Sequence, residues 1–198
     1  MEKVNLDKIC AEYGMDLLQF PESLYNEAKK ILQDSDNKED FEGKNYDESN
    51  WAVNLKEFKD YNLIDPLQNW KNRLSNDNEF NKLKEKPPSF NSSTFETEIT
   101  KALGILVEDG PFAYMIWLKS QDREPHRAML IQTARILAEI NLIEKINPDS
   151  NLKQEIESRF IDLSRVLSKL LLAKTILEKM LIYARYKAKA MENEVSEG

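Results

Sequence analysis

Apolar residues recur every three to four positions from Arg159 to Met191, a stretch with no Gly or Pro. That spacing predicts one continuous helix. Leu163, Val166, Leu170, Ala173, Leu177, Met180, Ala184 and Ala188 fall on one side of it, as a face buried against a core does. About a third of a turn away runs a second stripe, Arg165, Lys169, Leu172, Ile176, Lys179, Tyr183, Tyr186 and Lys187, in which cations alternate with apolar and aromatic groups. Such a stripe is either a solvated flank of a wide core or a contact surface.

Three further helices precede this one. Ser93-Thr-Phe-Glu96 has the spacing of a capping box, in which hydroxyl and carboxylate satisfy free backbone N–H groups. Phe95, Ile99, Ala102, Leu103 and Leu106 then mark the buried side of a helix over 94–108 that ends near Gly110. Pro111 opens a second helix over 111–120, apolar all the way round. Pro125 opens a third, expected over 125–145, whose polar side is limited to Gln132, Arg135 and Glu139. A helix so nearly apolar belongs in the middle of a bundle.

The first half is less regular. Residues 4–35 read as two short helices separated by Gly14, with Pro21 in the first turn of the second. From Asp34 to Asn50 the acids and turn formers predict an exposed loop. Around Trp51, Phe58, Tyr61 and Trp70, short helices and a small strand pair both fit, and Lys86-Pro-Pro-Ser89 is a linker candidate. The division expected is therefore an N-terminal extension over 1–88 and an all-α helical bundle over 89–198.

Composition narrows the class. Charged residues make up 32% and apolar ones 41%, with only 5 Gly in 198 residues, which favours a helical globular chain over a β-sandwich. The single cysteine, Cys10, cannot form an internal disulfide, and the N-terminus has no signal-peptide pattern. The expectation is a cytoplasmic protein with no membrane span, since charges interrupt the most apolar window. Charge is unevenly placed. The net charge is −7, yet residues 159–190 hold eight basic residues against two acids. A local excess of that kind suits a phosphate backbone, with Tyr and Leu covering the less polar parts.

Catalytic constellations are scarce. His126 is the only histidine, which removes every site needing two imidazoles, and beside Asp122, Arg123 and Arg127 it reads as a surface residue. Cys10 has no partner for zinc. Glu96 with Glu98, and Glu139 with Glu144, lack the spacing of a carboxylate magnesium site on one helix face. Nothing calls for a cofactor or metal, and the chain is expected not to be an enzyme.

Gly110-Pro-Phe-Ala-Tyr-Met-Ile-Trp-Leu-Lys-Ser120, preceded by a helix ending in Ile-Leu-Val-Glu-Asp, resembles the small helical subunit of the type III-B (Cmr) CRISPR RNA-guided effector complexes. Trp117, Leu118, Lys119 and Ser120 stand in the places of that family's aromatic, Leu and small-residue-with-Lys pattern. Pro111 replaces a usual aliphatic. In the final helix Thr175, Tyr183, Arg185, Lys187 and Ala188 look similar to the family's Thr, aromatic, basic and Ala sequence, with Tyr183 one position early. The resemblance covers about residues 92–191. It implies a non-catalytic structural subunit that contacts the guide RNA and target RNA through a basic helix face. Other faces would meet backbone and large subunits, and further copies of the same chain. Residues 1–90 would be an extension used in docking. Lys119, Arg123, Arg127, Arg165, Lys169, Lys179, Tyr183, Arg185 and Lys187 are the residues expected at the RNA. The alternative is a helical adaptor that binds only proteins.

Overall fold

The computed structural model describes residues 5–46, 65–121, 123–146 and 151–196. Every regular element among the described residues is an α-helix, the last of them long. Among the described residues the elements are α1 (Leu6–Gln33), α2 (Lys38–Gly43), α3 (Pro66–Lys71), α4 (Asp77–Glu85), α5 (Ser92–Glu108), α6 (Pro111–Ser120), α7 (Glu124–Glu139), α8 (Leu152–Ser164) and α9 (Leu167–Ser196). They form two compact units, one of residues 1–19 with 91–198 and one of residues 20–90. Residues 5–19 thus fold with the larger unit, which a single boundary at 88 does not anticipate.

In the larger unit, α7 is the central element. Eleven of its residues are buried, from Pro125 to Leu137, and it packs on α5, α6 and α8. Its buried hydroxyl at Thr133 lies 3.0 Å from that of Tyr114 on α6, so neither polar group is stranded in the core. Helices α5 and α9 run antiparallel. Arg185 meets Glu96 near one end, and Lys174 donates to the carbonyl of Val107 near the other.

Helix α1 is continuous where two helices were expected, and the reason lies at Gly14. A Cβ on that residue would sit 2.5 Å from the Met180 carbonyl oxygen and 2.8 Å from Tyr183 Cβ on α9. Glycine here permits a close helix contact instead of ending a helix. Pro21 lies inside α1, where its ring removes one N–H bond without stopping the helix. Cys10, Leu17 and Leu18 are fully buried, and the Arg135 guanidinium on α7 lies 5.3 Å over the Tyr13 ring.

Three other boundaries differ from the sequence reading. The helix expected to run unbroken from Arg159 divides at Arg165 and Val166. There the Arg165 and Val166 N–H groups bond back to the Asp162 and Leu163 carbonyls, tightening the last turn, while Ser164 Oγ donates to Ile161 O at 2.7 Å and competes with the regular ladder. Val166 is consequently 43% exposed and Leu170 half-buried, so the buried face of α9 starts at Ala173. Helix α7 stops at Glu139 because Asn141 takes a left-handed conformation, φ 57°, and the Leu142 N–H turns back to the Leu137 carbonyl at 2.9 Å. At the start of α5, the capping box does not form. Asn91 caps the helix, accepting from Thr94 N at 3.0 Å, and Glu96 is drawn to Arg185.

In the smaller unit one short packed helix, α2, interrupts the loop expected over 34–50. Asn37 caps α2 by accepting from Asp40 N at 2.9 Å, which places Phe41 in a core with Leu32, Leu67, Trp70 and Phe80. One aromatic in an acidic run is enough to seat the segment. Helices α3 and α4 start the same way, at Asp65 and Asn76, so the helical alternative holds for residues 65–86. Trp51, Phe58, Tyr61 and residues 47–50 lie outside the described residues.

Gly14 and Gly104 give opposite expectations. Gly14→Ala forces α1 off the α9 backbone and should lower the unfolding free energy by about 1–3 kcal/mol, the usual range for overpacking. Gly104→Ala, on α5 with nothing within 4 Å of its added Cβ, should raise it by about 0.5–1 kcal/mol. Urea denaturation of both variants checks the pair, and equal effects would contradict the close approach of the two helices.

Candidate nucleic-acid interface

Helix α9 presents its core face through Ala173, Ile176, Leu177, Met180, Leu181, Ala184 and Ala188, all buried. Ile176, read as part of the basic stripe, belongs to this face. The outward face carries Leu171, Leu172, Ile182 and Tyr186, exposed by 39–67%, together with Thr175, Lys179 and Lys189. It is an apolar surface studded with cations.

Two of the stripe's four cations, Lys179 and Arg165, are already engaged within the chain, as are Arg185 and Lys119 beside it. Lys179 Nζ lies 2.8 Å from Asp7 Oδ1, and the Tyr183 hydroxyl donates to Asp7 Oδ2 at 2.9 Å. These two bonds hold the Asp7 carboxyl below the usual carboxylate range, the Lys179 bond being the larger cause. Asp7 in turn pushes the Tyr183 phenol up. The group expected to meet RNA thus tethers the first turn of α1. Arg185 Nε donates to Glu96 at 2.9 Å, Arg165 lies 3.4 Å from Asp162, and Lys119 pairs with Glu157 of α8. Exposed pairs of this kind contribute little to stability, but each must be opened before its cation can serve a phosphate. Lys169 is exposed and Lys187 half-buried. Among the described residues neither has an ion-pair partner.

Arg123 and Arg127 sit at the start of α7, remote in sequence from the stripe. Arg123 is 70% exposed and 3.7 Å from Glu98; Arg127 is half-buried. Between them lies the largest departure from the sequence reading. His126, expected on the surface, is 1% exposed. Its ring stands edge-on to Trp117 at 4.8 Å, and its Nε2 is 3.2 Å from Glu98 Oε2 without the alignment of a hydrogen bond. The cause is its place one turn into a helix that is buried on nearly every side. Glu98, itself 6% exposed, is pushed up by burial but held low overall by Lys101 at 2.8 Å, with His126 and Arg123 adding to it. Burial pushes His126 down, and the Glu98 charge opposes this without overcoming it.

The engaging acids Asp7, Glu96, Glu98 and Glu157 were not read as functional partners in the sequence. Glu96 was legible as a helix-start residue, whereas pairs 89 or 172 positions apart leave no local signal. Among the described residues no three His, Cys, Asp or Glu side chains converge to hold a metal, and no helix is long and apolar enough to cross a membrane. No protein-family model, curated protein or solved structure matches the chain.

The approach of His126 to Glu98 gives a pH signature. A histidine depressed below its ordinary 6.5 contributes stability that is present above that value and lost as pH falls through its folded pKa. Glu98, depressed below 4.5, adds a second loss at lower pH. The stability of wild type against denaturant should therefore fall progressively below about pH 6.5, while His126→Gln should flatten that first step and keep the second. A wild-type stability that stays level from neutral pH down to the carboxylate range would remove the argument.

Proposed function

We propose that this chain is a non-catalytic helical subunit of a type III CRISPR ribonucleoprotein effector, contacting guide and target RNA through part of the α9 surface and its neighbours through the rest. The observation that carries the reading is the joint placement of the two segments that resemble the small Cmr subunit. Residues 110–120 and 175–188 pack in one unit, with Leu118 and Ala188 in its core, while Lys169 and Lys187 have no ion-pair partner among the described residues. Enclosure of the sole histidine against Trp117 and Glu98 supports a structural role over a catalytic one. A surface of this sort binds the phosphate backbone by charge, without reading sequence.

One observation favours a second reading, that of an adaptor binding only proteins. Lys119, Arg165, Lys179, Tyr183 and Arg185 all have acidic partners at home. The exposed Leu171, Leu172, Ile182 and Tyr186 suit a protein neighbour at least as well as RNA.

The two readings part on Lys169→Glu with Lys187→Glu, introduced into the tagged chain in its native host. Under the RNA reading the complex still assembles, RNA affinity falls for all sequences alike, and the slope of log affinity against log salt drops by about one for each phosphate no longer neutralised. Unchanged RNA affinity, with a protein neighbour missing from the co-purified set by mass analysis, would decide for the adaptor.

A further inference from the structure

The smaller unit carries a cleft of about 260 Å³ between the turn after α3, helix α4 and the Pro88 segment. Its wall is apolar. Trp70 forms the floor at 3% exposure, flanked by half-buried Leu74 and Leu83 and exposed Pro88. Its rim carries Arg73, Lys82 and Glu79, and the three are not equivalent. Glu79 Oε2 already accepts from the Ser75 backbone N–H and hydroxyl, each at 2.7 Å, bonds that hold its carboxyl below the usual range, the backbone bond first. Arg73 and Lys82 are exposed and, among the described residues, have no ion-pair partner. Glu79 is tied to Ser75 and stays ionised beside Lys82, so the three rim charges leave one net positive charge, with the Arg73 and Lys82 side chains exposed.

Size and surface select the ligand class. The volume falls just under the range of about 300–1,000 Å³ usual for small-molecule sites, but it accepts one large apolar side chain of a peptide. RNA fits poorly, because base stacking needs an open aromatic face and only 3% of Trp70 is exposed. We propose that this cleft binds an acidic peptide segment of a partner protein, seating an apolar side chain against Trp70, Leu74 and Leu83 with neighbouring carboxylates on Arg73 and Lys82. The inference stands apart from the RNA reading of α9, since every group it uses belongs to the smaller unit. It gives that unit a docking role whether or not α9 touches RNA.

The probe is a short fluorescein-labelled synthetic peptide of Glu, Asp, Leu and Phe, followed by anisotropy with the full chain, beside a twin in which Lys replaces each acid. The acidic peptide should bind, its affinity should fall as salt rises, and it should alter Trp emission in wild type but not in Trp70→Phe. Arg73→Glu with Lys82→Glu should weaken it by roughly tenfold or more and improve the Lys twin, with the fold retained because both positions are exposed. Failure of the acidic peptide to bind, equal binding of both peptides, or full affinity in the charge-reversed variant would each overturn the proposal. So would a shift from dimer to monomer on charge reversal, which assigns the cleft to a second copy. Displacement of the peptide by an RNA oligonucleotide that binds wild type and not the reversed variant assigns it to phosphate and overturns it equally.

Discussion

Helix α1 can lie against α9 only because residue 14 has no side chain. The Met180 carbonyl and the backbone N–H of Ala184 occupy the space a Cβ would need, and neither can move without disturbing the α9 ladder. Once the backbones are that close, Cys10 reaches the Ile176 carbonyl at 3.6 Å, Leu17 and Leu18 are enclosed, and Asp7 arrives beside Lys179 and Tyr183. The close approach at the glycine thus fixes both a core and the electrostatics of the opposite surface. An apolar interface of backbones sets which cations remain available.

That coupling changes what a basic stripe means. Eight basic residues against two acids over 159–190 imply a positive field when the helix is considered alone. In the folded chain Lys179, Arg185 and Arg159 pair with Asp7, Glu96 and Glu144, so three of the six excess charges are offset by distant segments. Potential follows the final placement of charge, with pairs weighted by their separation and solvent exposure. Among the described residues Lys169, Lys187 and Lys189 have no ion-pair partner, which leaves a sparse set of cations with apolar groups between. Such a set is compatible with a few bound phosphates beside a protein neighbour, and less so with a continuous track along a duplex.

The helical class, the helices over 92–120 and the central position of α7 were legible in the sequence, because each rests on local periodicity and on Pro111, Pro125 and Gly110. The helix ends that went astray share a different cause. The break at Arg165 has no Gly or Pro to announce it. It follows from Ser164 bonding back to its own turn. Gly14 and Pro21 had the reverse effect, since both are usual helix punctuators and neither ends α1. Phe41 shows the same limit in a loop: a single buried ring outweighed an acidic, turn-rich context. Of the expected interface residues, the positions were legible and the partners were not, because Asp7, Glu96 and Glu157 become neighbours only through tertiary packing.

His126 carries this reasoning one step further. As the lone imidazole in an acidic chain, beside arginines at a helix start, it has the sequence context of a solvated residue. Its burial follows from α7 being central, since a helix enclosed on most sides takes its first turn into the core along with its apolar middle. The imidazole tolerates that position because it stays neutral, with Trp117 against its edge and Glu98 near Nε2. Glu98 tolerates it because Lys101 and Arg123 reach in from solvent with their charged ends. Glu98 is compensated by the groups outward of it, while both His126 ring nitrogens stay buried without a hydrogen bond and rely on the nearby Glu98 charge. Removing the carboxylate at Glu98 would leave two cations facing a neutral buried ring, whereas removing Arg123 would leave Lys101 still in place. Glu98 therefore matters more to the fold than the exposed arginine that drew attention as an RNA contact.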